Sequence, residues 1–158
     1  MDCNIVNKEA FTVLARSRVF RYEDSMARIP GFWEEHYRTG RGSVICGMYG
    51  ICLEEGGPEG SFEYLIADDL DPSREVPEGF VTRTIPAFTW AVFPCVGKMP
   101  QALQDLNRRI FSQWLPENGE YQMAAGINVE MYSDPGQFEK GTQDDRYYSE
   151  IWIPVKKA

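Results

Sequence analysis

The stretch YYSEIWIPV, at Tyr147–Val155, places one carboxylate inside an aromatic and β-branched segment near the end of the sequence. Side chains alternate between the two faces of a strand, so Tyr148, Glu150 and Trp152 are predicted to share one face and the residues between them the other. A carboxylate between two rings is disfavoured unless it finds a partner, takes up a proton or is kept for a positively charged ligand. The stretch therefore predicts a strand whose glutamate is either paired or forms the anionic end of a binding pocket.

The composition is that of a folded protein with a surplus of acidic residues. The 158 residues are 43% hydrophobic and 13% aromatic, and 24 acidic against 16 basic residues give a net charge of −8. This length suits one domain over residues 1–158, and the content of rings is too high for a disordered chain. Because nucleic-acid backbones are bound by basic surfaces, the charge argues against direct nucleic-acid binding.

The sequence offers little for a membrane, a metal or a cofactor. No signal peptide and no long apolar run is present, so we expect a cytoplasmic protein without a membrane partner. The four cysteines form no C-x-x-C pair, and His36 is the single histidine. A metal site or a histidine-based triad is therefore not predicted, and no cofactor is expected.

Three short segments recur in the same order in the two halves of the sequence, which predicts a duplicated unit. Ala10–Thr12 recurs as Ala87–Thr89, Gly50–Glu54 as Gly126–Glu130, and Phe62–Ile66 as Ser149–Ile153. We place the repeats at about residues 8–70 and 80–157.

The first copy predicts a β-α-β-β unit. Phe11–Phe20 is predicted as a strand, and Glu23–Arg38 as a helical region that is broken near Pro30, where the longer helical piece begins. Ser43–Glu54 and Ser61–Ala67 are predicted as a hairpin around a glycine-rich turn.

The second copy follows the same order. We predict a long strand over Phe80–Val96, bent at Pro86, and a helix over Lys98–Leu115 with an apolar stripe that faces the sheet. Met123–Tyr132 and Tyr147–Val155 supply the last two strands. Two such units predict an α+β fold, with an antiparallel sheet and two main helices on one side.

Four motifs, taken in their order along the chain, make it resemble the GyrI-like, or bacterial effector-binding, domain family. They are Tyr49-Gly50, Tyr64–Ala67, Thr84–Ala87 and Glu150–Val155. The family is the ligand-sensing module of AraC-type and MerR-type transcription regulators, and it also occurs alone. The resemblance implies a duplicated β-α-β-β fold with a cleft between the halves. In multidrug-sensing members, it implies a buried glutamate ringed by aromatics that binds lipophilic cations.

The resemblance gives Glu150 the place of that glutamate, and the alternative is an edge-strand glutamate that points to water. Candidate aromatic residues for the ligand site are Trp152, Tyr148, Trp33, Tyr37, Tyr49, Trp90 and Phe111. For each ring taken singly, core packing is the alternative role. Glu63 occupies the slot equivalent to Glu150 in the first copy, and whether it shares the site is left open.

The first repeat begins near Phe11, so we expect no helix-turn-helix and interpret the chain as a stand-alone effector sensor in transcriptional regulation or drug response. We expect non-enzymatic binding of a small lipophilic cation. Two alternatives stay open: a protein-interaction inhibitor of the gyrase-inhibitor kind, and a hydrolase of small electrophiles that uses a glutamate and a tyrosine. A protein partner or a homodimer is compatible with either of them.

Overall fold

A computed structural model describes residues 1–158 as nine strands and two principal helices. The helices are α1 (Ser25–Arg38) and α2 (Gln101–Arg109), and α2 continues through a π-helical turn at Ile110–Trp114 into Leu115–Glu117. Neither helix has the length and apolar content that crossing a membrane would require. Strands β1 to β9 cover Asn4–Lys8, Phe11–Arg21, Tyr49–Leu53, Ser61–Asp69, Val81–Ile85, Phe88–Val96, Tyr121–Met123, Ile127–Tyr132 and Tyr148–Lys157.

The chain divides into two compact units that we describe separately. The first unit is Ala10–Pro86, and the second unit is Met1–Glu9 together with Ala87–Ala158. The strand order is β3-β4-β2-β5 in the first unit and β8-β9-β6-β1 in the second, with β7 paired to the end of β9. All these pairings are antiparallel. The predicted α+β class, with an antiparallel sheet and two main helices, is confirmed.

In the first unit, α1 covers one face of the sheet. Phe32 of α1 packs in a core cluster with Leu14, Phe20, Phe62, Tyr64 and Ile66. The predicted break at Pro30 is wrong, because α1 runs through it from Ser25 to Arg38. A proline inside a helix leaves the carbonyl four residues earlier without its partner. That residue is Met26, which is 77% exposed, so water can satisfy its carbonyl.

In the second unit, α2 covers the sheet face that carries Ile151 and Ile153. Both isoleucines are fully buried and cluster with Leu103, Leu106 and Ile110 of the helix. This confirms the predicted apolar stripe and the alternation predicted for the last strand. The helix begins at Gln101, later than predicted, because Met99 precedes a proline and the residue before a proline disfavours the helical conformation.

Each unit is completed by an edge strand that precedes, in the sequence, the first long strand of the other unit. The predicted long strand bent at Pro86 is instead two strands, and the first of them, β5, pairs with β2 of the first unit. In the second unit the equivalent position is held by β1, which pairs with β6 and was not predicted. Strand β1 is largely exposed, so its sequence lacks the apolar alternation that identifies a half-buried strand.

Candidate ligand-binding site

Glu150 lies on β9 in the second unit, opposite Pro94 of β6 and Met131 of β8. Its carboxylate accepts two hydrogen bonds from ring groups on the same face of the strand. The Tyr148 hydroxyl donates to Oε2 at 2.5 Å, and the Trp152 indole N–H donates to Oε1 at 2.8 Å. The predicted arrangement of a carboxylate between two rings is therefore present. The residue is half-buried, however, where the resemblance implied a buried glutamate.

No cationic side chain neutralises this carboxylate. Arginine and lysine nitrogens form nine ion pairs in the structure, and Glu150 takes part in none of them. Both of its donors are neutral. Burial, followed by the hydrogen bond to Glu150 and the charge on Glu150, raises the pKa of Tyr148 to about 12, so its hydroxyl stays protonated at neutral pH. The charge of the Glu150 carboxylate is therefore held by hydrogen bonds from uncharged groups.

A series of aromatic rings extends from Glu150 across the sheet. The Trp152 and Trp90 ring centroids are 6.1 Å apart at 66°, and those of Trp90 and Phe88 are 5.6 Å apart at 90°. Trp90 is 0% exposed, and its indole N–H is buried with no hydrogen-bond partner. A buried donor without a partner costs about 1–3 kcal/mol. A ligand atom that accepts this hydrogen bond would remove that cost.

Three of the other predicted site residues belong to the first unit, and one belongs to α2 of the second. Tyr49, Trp33 and Tyr37 belong to the first unit, where they donate hydrogen bonds to the Asp69 carboxylate (3.1 Å), the Tyr64 hydroxyl (2.8 Å) and the Cys46 carbonyl (2.8 Å), respectively. Phe111 lies on the π-helical turn of α2 and is 38% exposed. Since α2 covers the Ile151 face, the structure does not bring Phe111 to Glu150.

Glu63, the equivalent residue in the first unit, is paired and 7% exposed. Arg83 donates to both of its carboxylate oxygens, at 3.0 and 2.7 Å, and the Ser17 hydroxyl donates at 2.5 Å. Burial alone would raise the pKa of Glu63, but the hydrogen bonds from Arg83 and Ser17 outweigh it and the pKa is lowered. Its charge is therefore compensated within its own unit, in contrast to that of Glu150.

A third carboxylate, Glu130 on β8, was missed as a site candidate. It lies opposite Ile151 in the register, so it is on the helix-covered face of the sheet. The Tyr132 hydroxyl donates to it at 2.6 Å, and burial raises its pKa. The sequence carries a signal, because Glu130 and Tyr132 have the same two-residue spacing as Glu150 and Tyr148. The two glutamate–tyrosine pairs differ in the sheet face on which they lie, and this difference is not visible in their spacing.

This fold and site define an effector-binding domain of the GyrI-like class. The chain belongs to the Cass2 family of integron-associated effector binding proteins, which it matches over residues 4–155. It is 29% identical over 165 aligned residues to the transcriptional regulator BrlR of Pseudomonas aeruginosa. The match includes 98% of this chain and 56% of BrlR, so the chain spans little more than half the length of this curated relative.

Solved structures share the fold at low sequence identity. SAV2435, in a complex with tetraphenylphosphonium, has a TM-score of 0.85 and 21% identity, with 99% of this chain and 94% of SAV2435 covered. The integron cassette protein VCH_CASS2 from the mobile metagenome of Vibrio cholerae has a TM-score of 0.71 and 22% identity, with 98% of this chain and 95% of that protein covered. The likeness to these two structures establishes the fold.

Proposed function

We propose that the chain binds a lipophilic organic cation and that Glu150 is the electrostatic anchor of the site. The cationic centre would lie against the Glu150 carboxylate, and the apolar groups of the ligand would stack on Trp152 and the rings beside it. The role is that of an effector sensor in transcriptional regulation or drug response, and no catalytic step is required.

The observation that carries this proposal is the contrast between Glu150 and Glu63. Glu63 is held by a bidentate arginine, whereas the donors to Glu150 are a phenol and an indole. A carboxylate whose only protein partners are neutral still gains from a positive charge. The same indole offers its ring face to the cation, and such a contact contributes about 0.5–2 kcal/mol.

Two comparisons support the choice of ligand class and role. SAV2435, which shares the fold, was solved with tetraphenylphosphonium, a permanent cation surrounded by four phenyl rings. BrlR is a transcriptional regulator, and its matched part corresponds to nearly the whole of this chain. We infer from these relatives that ligand sensing for a regulator is the role of this domain.

The hydrolase alternative takes Glu150 as the base and a tyrosine such as Tyr148 as its helper, and the Tyr148 hydroxyl donates a 2.5 Å hydrogen bond to Glu150. The raised pKa of Tyr148 argues against a tyrosinate nucleophile, because the phenol keeps its proton at neutral pH. Tyr148 can therefore donate a hydrogen bond but is poorly suited to attack an electrophile. Turnover of a reactive electrophile that is lost in Glu150→Ala would favour hydrolysis over binding.

The test uses two ions of the same shape and opposite charge. Tetraphenylphosphonium and tetraphenylborate differ in the sign of the central charge, so shape and stacking are matched. A ligand that binds the folded state raises its melting temperature. We expect tetraphenylphosphonium to raise the melting temperature and to change the tryptophan fluorescence, while tetraphenylborate does neither. Equal stabilisation by both ions would refute an anionic site.

A further inference from the structure

Lys8 lies over the ring that the proposed ligand would use. Its Nζ atom is 4.4 Å from the centroid of the Trp152 ring, which is within the range of a cation–π contact. The pairing of β1 with β6 explains how Lys8 reaches it. Lys8 lies opposite Phe88, and Val6 lies opposite Trp90, so the two residues share the sheet face of the aromatic series.

Lys8 has no competing partner among the acidic side chains. It is half-buried and takes part in none of the nine ion pairs, although the chain holds 24 acidic residues. Its ammonium group lies on a ring face, while the edge of that ring donates to Glu150. One indole thus holds a cation on its face and an anion at its N–H.

We infer that Lys8 is a tethered competitor for the cation site and sets the affinity that a ligand needs in order to enter it. This inference rests on the proposed function and adds a residue that tunes the affinity of the site. A cation that stacks on Trp152 must displace the Lys8 ammonium group into water. After displacement, the ammonium group stays attached to β1, so it also repels the bound cation.

Because Lys8 is attached to β1, it sets how tightly a cation must bind in order to replace it. A group fixed to the same unit acts at an effective concentration in the millimolar range. A simple alkylammonium ion offers the ring no more than Lys8 does, so it gains little by replacing Lys8. A cation that carries aromatic groups adds stacking and burial of apolar surface, which Lys8 cannot provide. Lys8 therefore weakens every cation that must displace it by the same factor, and small hydrated amines fall below a useful affinity before lipophilic aromatic cations do.

The experiment measures the affinity of tetraphenylphosphonium by isothermal titration calorimetry for the wild type and for Lys8→Met, Lys8→Arg and Glu150→Gln. Methionine keeps an apolar side chain of similar length and removes the charge, so we expect binding to tighten by roughly 2- to 30-fold, the range of one cation–π contact. Arginine keeps the charge and stacks on tryptophan, so Lys8→Arg is expected to bind no more tightly than the wild type.

Lys140→Met is the matched control, because Lys140 is exposed, makes no ion pair and gives the same change in net charge. It should leave the affinity unchanged. If wild-type binding depends on Glu150 but Lys8→Met binds equally or more weakly, the inference about Lys8 is overturned while the proposed function stands. If the wild type does not bind tetraphenylphosphonium, or binds it equally without the Glu150 charge, both fail.

Discussion

Glu150→Gln removes the charge that the account depends on and leaves most of the local structure intact. The glutamine carbonyl can still accept one of the two hydrogen bonds that the carboxylate now accepts from Tyr148 and Trp152. When the carbonyl accepts from Trp152, the amide group can donate to the Tyr148 oxygen, so two hydrogen bonds to a charged acceptor are replaced by weaker bonds between neutral groups. Removing a half-buried charge offsets part of that loss. We therefore expect the variant to fold.

The loss of affinity in Glu150→Gln depends on the distance between the Glu150 carboxylate and the phosphonium centre. The phenyl groups of tetraphenylphosphonium hold its central charge away from the carboxylate. Two unit charges about 6 Å apart interact by about 3 kcal/mol at an effective dielectric constant of about 20. Because Glu150 is half-buried, water screens part of this interaction. We expect a loss of about 1.4–2.8 kcal/mol, which is about a 10- to 100-fold weaker affinity.

Isothermal titration calorimetry of both proteins with tetraphenylphosphonium measures this loss, and thermal unfolding confirms that both are folded. Glu59→Gln is the control, because Glu59 is exposed, forms no ion pair and gives the same change in net charge. The control should bind like the wild type. An affinity of Glu150→Gln within twofold of the wild type would refute the assignment of Glu150 as the anchor.

Three further predictions concern stability. Arg83→Met leaves the buried Glu63 carboxylate without its bidentate partner and should lower the free energy of unfolding by about 1.5–3 kcal/mol at pH 7; denaturant unfolding checks this, and adding Glu63→Gln should recover part of the loss. Burial raises the pKa of Glu130, so the folded state resists ionisation and loses stability as pH rises from the ordinary glutamate range to the raised pKa. Glu130→Gln should therefore gain in melting temperature relative to the wild type between pH 4 and 7, and parallel curves would contradict this. Gly47 has a φ of +83°, and a Cβ there would lie 2.6 Å from a carbon of the Trp33 indole. Gly47→Ala should therefore lower the free energy of unfolding by about 1–3 kcal/mol. Gly31→Ala, which places its Cβ in open space on α1, is the control and should not lower it.

The sequence predicted those parts of the fold in which burial alternates clearly. The face of Glu150 and the apolar stripe of α2 followed from periodicity, because half-buried and buried residues alternate over Tyr148–Ile151 and the apolar residues of α2 recur at helical spacing. Strand β1 was missed because it is largely exposed, and with it the position of Lys8 was missed. The break at Pro30 was predicted from a local rule, whereas the packing of Phe32 keeps α1 continuous.

The hydrogen-bond partners of Glu63 and Glu150 could not be predicted from the sequence. Glu63 and Glu150 occupy matching slots in the two copies, yet an arginine holds one and neutral rings hold the other. The difference depends on Arg83, which reaches Glu63 because β5 joins the sheet of the first unit. No local pattern indicates which strand will complete which unit, since that choice is made by long-range pairing.

A crystal structure of the chain with tetraphenylphosphonium would show directly whether Glu150 anchors the cation. We expect the phosphonium centre beside the Glu150 carboxylate, a phenyl ring on Trp152 and the Lys8 ammonium group displaced from that ring. A ligand bound away from Glu150, or a Glu150 carboxylate paired with an arginine or lysine in the complex, would contradict it.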